Sequence, residues 1–235
     1  MRLLAIPVTA LLLAAPLRAQ SANEWGAYGR DAAGTRNLPR TQITPANVAR
    51  LSVVWTQRTG DFARSSDRTR FEATPLMVDG MLYLSTPFGR VIALDPATGR
   101  ERWTYDAHAD ARAGFGDPAN RGVSTWLDPA AGADARCRRR IYLGTLDARS
   151  VALDAKRGLP CRDFGDEGTV SLRRGLRNAP FETAEYELTS PPAVIRGLIV
   201  TGSAVADNNR TNAASGEVRA YDARTGALRW TCDPV

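Results

Sequence analysis

Lysine, histidine and cysteine are nearly missing from this chain, and each shortage closes off a kind of chemistry. The 235 residues hold one lysine, Lys156, one histidine, His108, and three cysteines. With one histidine, in a flexible context, a Ser-His-Asp triad and a multi-histidine metal site are nearly excluded. His108 lies in an Ala-His-Ala-Asp context and reads as a solvated loop residue. There is no phosphate-cradling glycine loop and no closely spaced cysteine pair for zinc. The net charge of +6 invites a nucleic-acid partner, but the arginines scatter through turns and form no basic stripe, so no nucleic acid is expected.

Long apolar runs are equally scarce. The one such run follows Met1-Arg2 and is about 14 residues, short of the roughly 20 that span a bilayer. It leads to a small-residue exit near Ala19, the pattern of a secretory signal. Residues 1–19 are therefore expected to be a signal peptide, and residues 20–235 an exported, periplasmic chain with no membrane span. Export makes the cysteines relevant. Cys137 opens one strand pattern and Cys161 ends the turn that follows it, so the two are expected to form a disulfide. It would close a loop of about 25 residues, worth about 3 kcal/mol in the chain-entropy treatment. Cys232 is left without a partner.

What the chain does have is a phrase that occurs three times. Residues 93–103 read A-L-D-P-A-T-G-R-E-R-W, residues 152–161 read A-L-D-A-K-R-G-L-P-C, and residues 220–230 read A-Y-D-A-R-T-G-A-L-R-W. Each copy is an apolar strand end, an aspartate, a turn closed by glycine, and a bulky residue entering the next strand. Asp95, Asp154 and Asp222 can cap the turn, Gly99, Gly158 and Gly226 permit positive φ, and Trp103 or Trp230 can pack between adjacent sheets. The copies lie 59 and 68 residues apart, a modular β architecture whose simplest form is a propeller. In the first repeat two apolar strands flank Asp79-Gly80, a strong hairpin signal. The fold expected is all-β, a partial β-propeller of about three blades plus a leading strand. Each blade is a sheet of three or four antiparallel strands. Long irregular stretches (107–132, 164–188, 205–216) separate the repeats at equivalent points, where functional loops belong. The segment 24–61 carries a short turn or helix at 43–48 and a strand over Leu51–Trp55.

Polar residues at strand starts and loop ends would converge near a propeller axis. Glu72 precedes the first strand of its repeat, Thr189 holds a similar place in the third, Asn120-Arg121-Gly122 ends the first long loop, and Asp207-Asn208-Asn209 follows the third repeat's second strand. Two carboxylates, a guanidinium and several amides suit a polyanionic ligand held beside a hard divalent cation.

Several ordered phrases resemble the quinoprotein dehydrogenases that use pyrroloquinoline quinone (PQQ), the glucose dehydrogenase branch above all. They are E-W-G-A-Y-G-R-D-A-A-G-T-R, Q-I-T-P-A-N-V, V-W-T-Q-R-T-G-D, F-E-A-T-P-L, R-G-V-S-T-W, D-A-R-S-V-A-L-D-A, T-S-P-P and D-N-N-R-T-N-A-A-S-G-E-V-R-A-Y-D. The resemblance implies an eight-bladed propeller with PQQ on its axis and Ca²⁺ or Mg²⁺ beside the quinone as a Lewis acid. It also implies oxidation of an aldose or alcohol, with a quinone or a cytochrome as electron acceptor. Carried over position by position, Glu72 is similar to the family's cofactor-contacting acid, Arg121 to the arginine that pairs with a PQQ carboxylate, Thr189 to a hydroxyl donor, and Asp207 to a metal-ligating carboxylate. Two departures stand out. The vicinal cysteines of some members are replaced by Gly114-Phe115-Gly116-Asp117, and the branch's histidine four residues before the arginine is Asp117. The family's catalytic aspartate is expected beyond Val235, which marks the chain as the amino-terminal part of a longer propeller, inactive as a dehydrogenase by itself. The repeats alone also fit a different class, a non-catalytic periplasmic propeller scaffold that assists protein assembly.

Overall fold

The Asp79-Gly80 dipeptide sets the geometry of the first sheet. In the computed structural model, which describes residues 24–61, 69–109, 115–116, 118–206 and 211–234, both residues have positive φ, 49° and 73°. That is the backbone of a two-residue hairpin loop whose twist matches its strands. In chain order, β1 (Arg70–Thr74) precedes a sheet of β2 (Leu76–Val78), β3 (Met81–Ser85), β4 (Arg90–Leu94) and β5 (Glu101–Asp106). Next come β6 (Ala119–Gly122) and a second sheet of β7 (Ser124–Leu127), β8 (Arg139–Gly144), β9 (Arg149–Asp154) and β10 (Thr169–Ser171). After β11 (Tyr186–Glu187), a third sheet contains β12 (Ala193–Ile195), β13 (Leu198–Thr201), β15 (Val218–Asp222) and β16 (Leu228–Cys232), with β14 (Ala204–Val205) in the connection. Each sheet is a four-stranded antiparallel meander. The three expected blades are present, each with four strands.

Stacking of the sheets explains their burial. β8 and β9 are buried at five of six positions each, because both faces of a middle strand meet a neighbouring sheet. One seam joins the first and second sheets through Val91, Ala93, Ile141, Leu143, Val151 and Leu153. Another joins the second and third through Tyr142, Ala152, Phe164, Ile199, Tyr221 and Ala223. A fully buried Val, Leu or Ile contributes about 1.5–3 kcal/mol relative to its exposed state, so these seams are the main source of cohesion. β16 is exposed along its whole length.

The clasp works as its residues suggest, with a device the phrase alone does not reveal. Oδ1 of Asp95 accepts hydrogen bonds from the N–H groups of Ala97 and Thr98 and from the Thr98 hydroxyl, while Oδ2 accepts from Arg102 at 2.7 Å. Asp222 repeats the arrangement with Arg224, Thr225 and Arg229. A preceding tryptophan then docks on each of two turn glycines, Trp55 of the leading segment on the first sheet and Trp103 of the first sheet on the second. A Cβ on Gly99 would lie 2.5 Å from Cδ2 of Trp55, and one on Gly158 would lie 2.5 Å from Cδ2 of Trp103. Each indole N–H donates to the carbonyl just after the clasp aspartate, Trp55 to Pro96 at 3.1 Å and Trp103 to Ala155 at 3.0 Å.

In the second copy, Cys161 takes the place of tryptophan, and the sheet solves the docking differently. Cys137 and Cys161 form the expected disulfide, with Cα atoms 5.8 Å apart, and Cys232 is free and exposed. The linkage lies beside the turn that brings Phe164 and Gly165 to the third clasp, where a Cβ on Gly226 would meet Val170 Cγ2 at 2.6 Å, the Gly165 nitrogen at 3.0 Å and Phe164 Cδ2 at 3.3 Å. The Tyr142 hydroxyl donates to the carbonyl of Ala223, as the Tyr83 hydroxyl donates to that of Ala155 at 3.1 Å in the second clasp, but phenylalanine has no N–H to add the second bond that Trp103 gives there. The Asp154 carboxylate, with no outer-strand arginine opposite it, accepts from the N–H of Cys137 at 2.6 Å.

Three expectations need correction. Leu51–Trp55 is extended but pairs in no ladder among the described residues, and Val53 and Val54 are exposed; Trp55 is held by the first clasp rather than by strand hydrogen bonds. Trp230 packs against no clasp among the described residues and is 43% exposed. Glu72 lies inside a strand, β1, rather than just before one. The segment's helix is a single 3₁₀ turn, Val48–Arg50. No helix among the described residues is long and apolar enough to cross a membrane.

Candidate cofactor site

β1 and β6 belong to no blade. They pair with each other in parallel, Arg70 with Ala119, Phe71 with Asn120 and Thr74 with Gly122. The register shifts between Phe71 and Thr74, so β1 is bulged there, and a bulge re-aims the side chains it carries. Glu72 lies in that bulge, and its Oε2 meets Nη2 of Arg121 at 3.0 Å. Both side chains are about one-third exposed (33% and 35%), so the pair faces open space and is of modest energetic worth by itself. The N–H of Arg121 donates to the carbonyl of Thr189 at 2.8 Å. Glu72, Arg121 and Thr189, far apart in sequence, are thereby brought together at one edge of the stack. Thr189 also lines a cavity of about 200 Å³ with Pro191, Thr201, Gly202 and Ser203.

Neighbouring residues hold the site's frame. Glu187, almost fully buried, accepts at Oε1 from the N–H of Gly116 at 2.8 Å, which ties the loop before β6 to the segment carrying Thr189. Gly122 has φ 136°, and a Cβ there would lie 3.1 Å from the carbonyl oxygen of Thr74. The close approach of β1 and β6 is thus a glycine requirement. Asp207 lies outside the described residues. Among the described residues no group of three or more His, Cys, Asp or Glu side chains gathers to hold a metal. His108 is exposed beside Asp106, as its loop context implies.

Other cavities offer less chemistry. A groove of about 640 Å³ between the second and third sheets is lined by Arg149 and Arg219, but both guanidinium groups are committed. Arg149 binds Asp147 and the carbonyl of Ala107. Arg219, 2% exposed, binds Glu217 and the carbonyl of Arg174. Burial pushes the Glu217 carboxyl up, but the N–H of Arg177, the Ser215 hydroxyl and Arg219 outweigh it and hold it below the usual carboxylate range. This buried network is structural, fastening residues 172–177 to the third sheet.

Comparison with known proteins decides the family. Residues 25–235 match the family described as "PQQ: Glucose/ethanol/alcohol dehydrogenase, beta-propeller domain". The chain belongs to this family. This PQQ propeller chain is 38% identical over 222 residues to a quinoprotein glucose dehydrogenase of Gluconobacter oxydans, covering 90% of the chain and 27% of that relative. It is 37% identical over 217 residues to the quinoprotein glucose dehydrogenase of Escherichia coli, covering 90% and 27%. Among solved structures, the quinohemoprotein alcohol dehydrogenase of Comamonas testosteroni superposes with a TM-score of 0.70 at 31% identity, covering 90% of the chain and 27% of that protein. The chain therefore spans about a quarter of the length of the relatives it matches.

The residues present suit one edge of the PQQ ring system. PQQ is a planar tricarboxylate, and a guanidinium fork matches a carboxylate better than any other side chain does. Arg121, set in a bulged strand pair and flanked by the polar cavity at Thr189, supplies that fork. The signal for Glu72, Arg121 and Thr189 was present in the sequence as polar residues at the ends of loops. Asn120, buried and bonded across both neighbouring sheets, was legible only as part of a loop end, because its partners lie 35 and 24 positions away.

Proposed function

We propose that this chain forms the amino-terminal part of a periplasmic PQQ-dependent dehydrogenase. The enzyme oxidises the hydroxyl of an aldose or alcohol and passes electrons to a quinone or cytochrome acceptor. In this reading Arg121 pairs with a carboxylate of PQQ, Thr189 donates a hydroxyl hydrogen bond to it, and Glu72 contacts it while orienting Arg121. Asp207 is the proposed ligand of a Ca²⁺ or Mg²⁺ ion beside the cofactor. Bound PQQ supplies a two-electron acceptor. The chain's own residues bind and orient it, and the Glu72 carboxylate keeps the guanidinium aimed. The observation that carries this reading is the Glu72–Arg121 pair at 3.0 Å, on a strand whose Arg121 N–H bonds the main chain of Thr189 at 2.8 Å. Family membership supports it independently.

The test is titration of the chain with PQQ in the presence of Ca²⁺, read by quenching of tryptophan fluorescence. Saturable quenching, weakened at least tenfold in Arg121→Ala, supports the reading. Absence of saturable quenching, or equal affinity in the variant, overturns it and favours a scaffold without cofactor.

A further inference from the structure

The geometry points to Asn120 as the residue that positions Arg121 for its ligand, an inference that rests on the cofactor reading above. Arg121 sits on a two-stranded ribbon, β1 with β6, that is not a member of any blade. Such a ribbon is marginal in isolation, so something must fix it to the blades. Asn120 does so with one side chain. Its Oδ1 accepts the hydroxyl hydrogen of Ser85 at 2.6 Å, from the end of β3 in the first sheet, and its Nδ2 donates to the carbonyl of Gly144 at 2.8 Å, from the end of β8 in the second. Oδ1 also accepts the N–H of Gly122 at 3.1 Å within its own strand. Asn120 is 2% exposed and Ser85 is fully buried.

That placement acts on the site in three ways. Successive side chains of a strand point to opposite faces, so burying Asn120 between the two sheets turns Arg121 outward to Glu72. The bond to the N–H of Gly122 holds the strand across the stretch opposite the β1 bulge, which sets how far Glu72 stands from the guanidinium. Gly144 in turn leaves room for Leu188, since a Cβ there would lie 2.8 Å from Leu188 Cδ2, and the N–H of Leu188 donates to the carbonyl of Thr145 at 3.2 Å. The carbonyl of Gly144 and the segment that delivers Thr189 are thus registered to the same end of β8. Only a carboxamide offers one donor and one two-lone-pair acceptor in this geometry. Aspartate lacks the donor, and its carboxylate would face the Gly144 carbonyl.

The experiment compares wild type, Asn120→Ala, Asn120→Asp, Arg121→Ala, the double variant Asn120→Ala/Arg121→Ala, and Trp103→Phe as a control that loses stability far from the site. PQQ affinity is read by fluorescence quenching and the protection of the Arg121 amide by hydrogen exchange. Asn120→Ala and Asn120→Asp are expected to weaken PQQ at least tenfold, and the double variant to be within threefold of Arg121→Ala, because both changes remove the same contact. Trp103→Phe is expected to leave affinity within twofold. The Arg121 amide is expected to lose at least tenfold protection in both Asn120 variants and none in Trp103→Phe. Multiplying effects in the double variant, or wild-type affinity in Asn120→Ala, overturns the positioning role. If wild type binds no PQQ, the cofactor reading fails and the exchange measurement decides alone: unchanged protection of Arg121 overturns the role, selective loss sustains it.

Discussion

Replacing Gly158 by alanine separates the two demands that the clasp makes on its glycine. Gly158 has φ 69°, and a Cβ there would lie 2.5 Å from Cδ2 of Trp103 and closer still to Cε3. A left-handed backbone costs a non-glycine residue about 1–2 kcal/mol, and forcing a group into a packed contact costs about 1–3 kcal/mol more. The indole cannot step aside cheaply, because its N–H is bonded to Ala155 and its ring lies at 5.8 Å from Tyr83, centroid to centroid. Gly197 provides the control. Its φ is 76°, but nothing lies within 4 Å of where an alanine methyl would stand, so Gly197→Ala carries the backbone cost alone. Urea unfolding followed by circular dichroism should place Gly158→Ala below Gly197→Ala by about 1–3 kcal/mol. With a slope of about 2 kcal/mol per molar urea, that is roughly 1 M in midpoint. In a Trp103→Ala background the Gly158→Ala effect should shrink to that of Gly197→Ala. Equal losses for the two glycines in the wild-type background would refute indole docking as the tight link between the first and second sheets.

Acid should loosen the third clasp within a defined window. Burial pushes the Asp222 carboxyl up, but Arg229, the N–H and hydroxyl of Thr225 and the N–H of Arg224 outweigh it and hold it down to about 2. A carboxyl depressed in the folded state stabilises the fold above its ordinary range near 4 and loses that contribution as pH falls toward 2. At about 1.4 kcal/mol per pH unit of displacement, the contribution is on the order of 2 kcal/mol. Midpoints measured from pH 5 to pH 2 should therefore fall more steeply in wild type than in Asp222→Asn, and parallel curves would refute the argument. The double variant Cys137→Ser/Cys161→Ser should lose about 3 kcal/mol of stability in non-reducing urea melts, and an unchanged midpoint would show that Phe164 docks on the third clasp without the crosslink.

The three clasps were legible because everything they need is local. In the first and third, an aspartate, two N–H groups, a threonine hydroxyl and a glycine within five positions make the turn, in the second the aspartate, the Arg157 N–H and the glycine do so, and the apolar residues on either side make the strands. Position within the phrase even identified Cys161 as the substitute for tryptophan and paired it with Cys137. What the sequence could not convey was the direction of docking, since Trp103 reaches Gly158 across 55 positions and nothing in either phrase names the other. It also hid β1 and β6. Arg70–Thr74 alternates polar and apolar residues over only five positions and Ala119–Gly122 carries no strand periodicity, and a parallel ribbon of two short strands is created by its surroundings. Leu51–Trp55 misleads in the opposite sense: its apolar run reads as a strand, but a ladder requires an edge to pair with.

That division explains why the candidate site sits where it does. The blades are mutually docked through apolar seams, and the arginines lining the groove between the second and third are held by Asp147, Glu217 and main-chain carbonyls, so the blades themselves offer little to an anionic ligand. The chain can present polar groups only where it leaves one sheet to start the next, and such connections would be loose unless fastened. Asn120 fastens the first connection to two sheets, Glu187 fastens the loop before it to the third repeat's approach, and the Arg121 N–H to Thr189 carbonyl bond closes the circuit. The first fastening joins the first and second sheets, and the other two tie the connection between them to the connection that leads to the third. The geometry of Glu72 and Arg121 is therefore a property of these fastenings, and a change that removes one of them should disturb the site even when Glu72, Arg121 and Thr189 are unaltered.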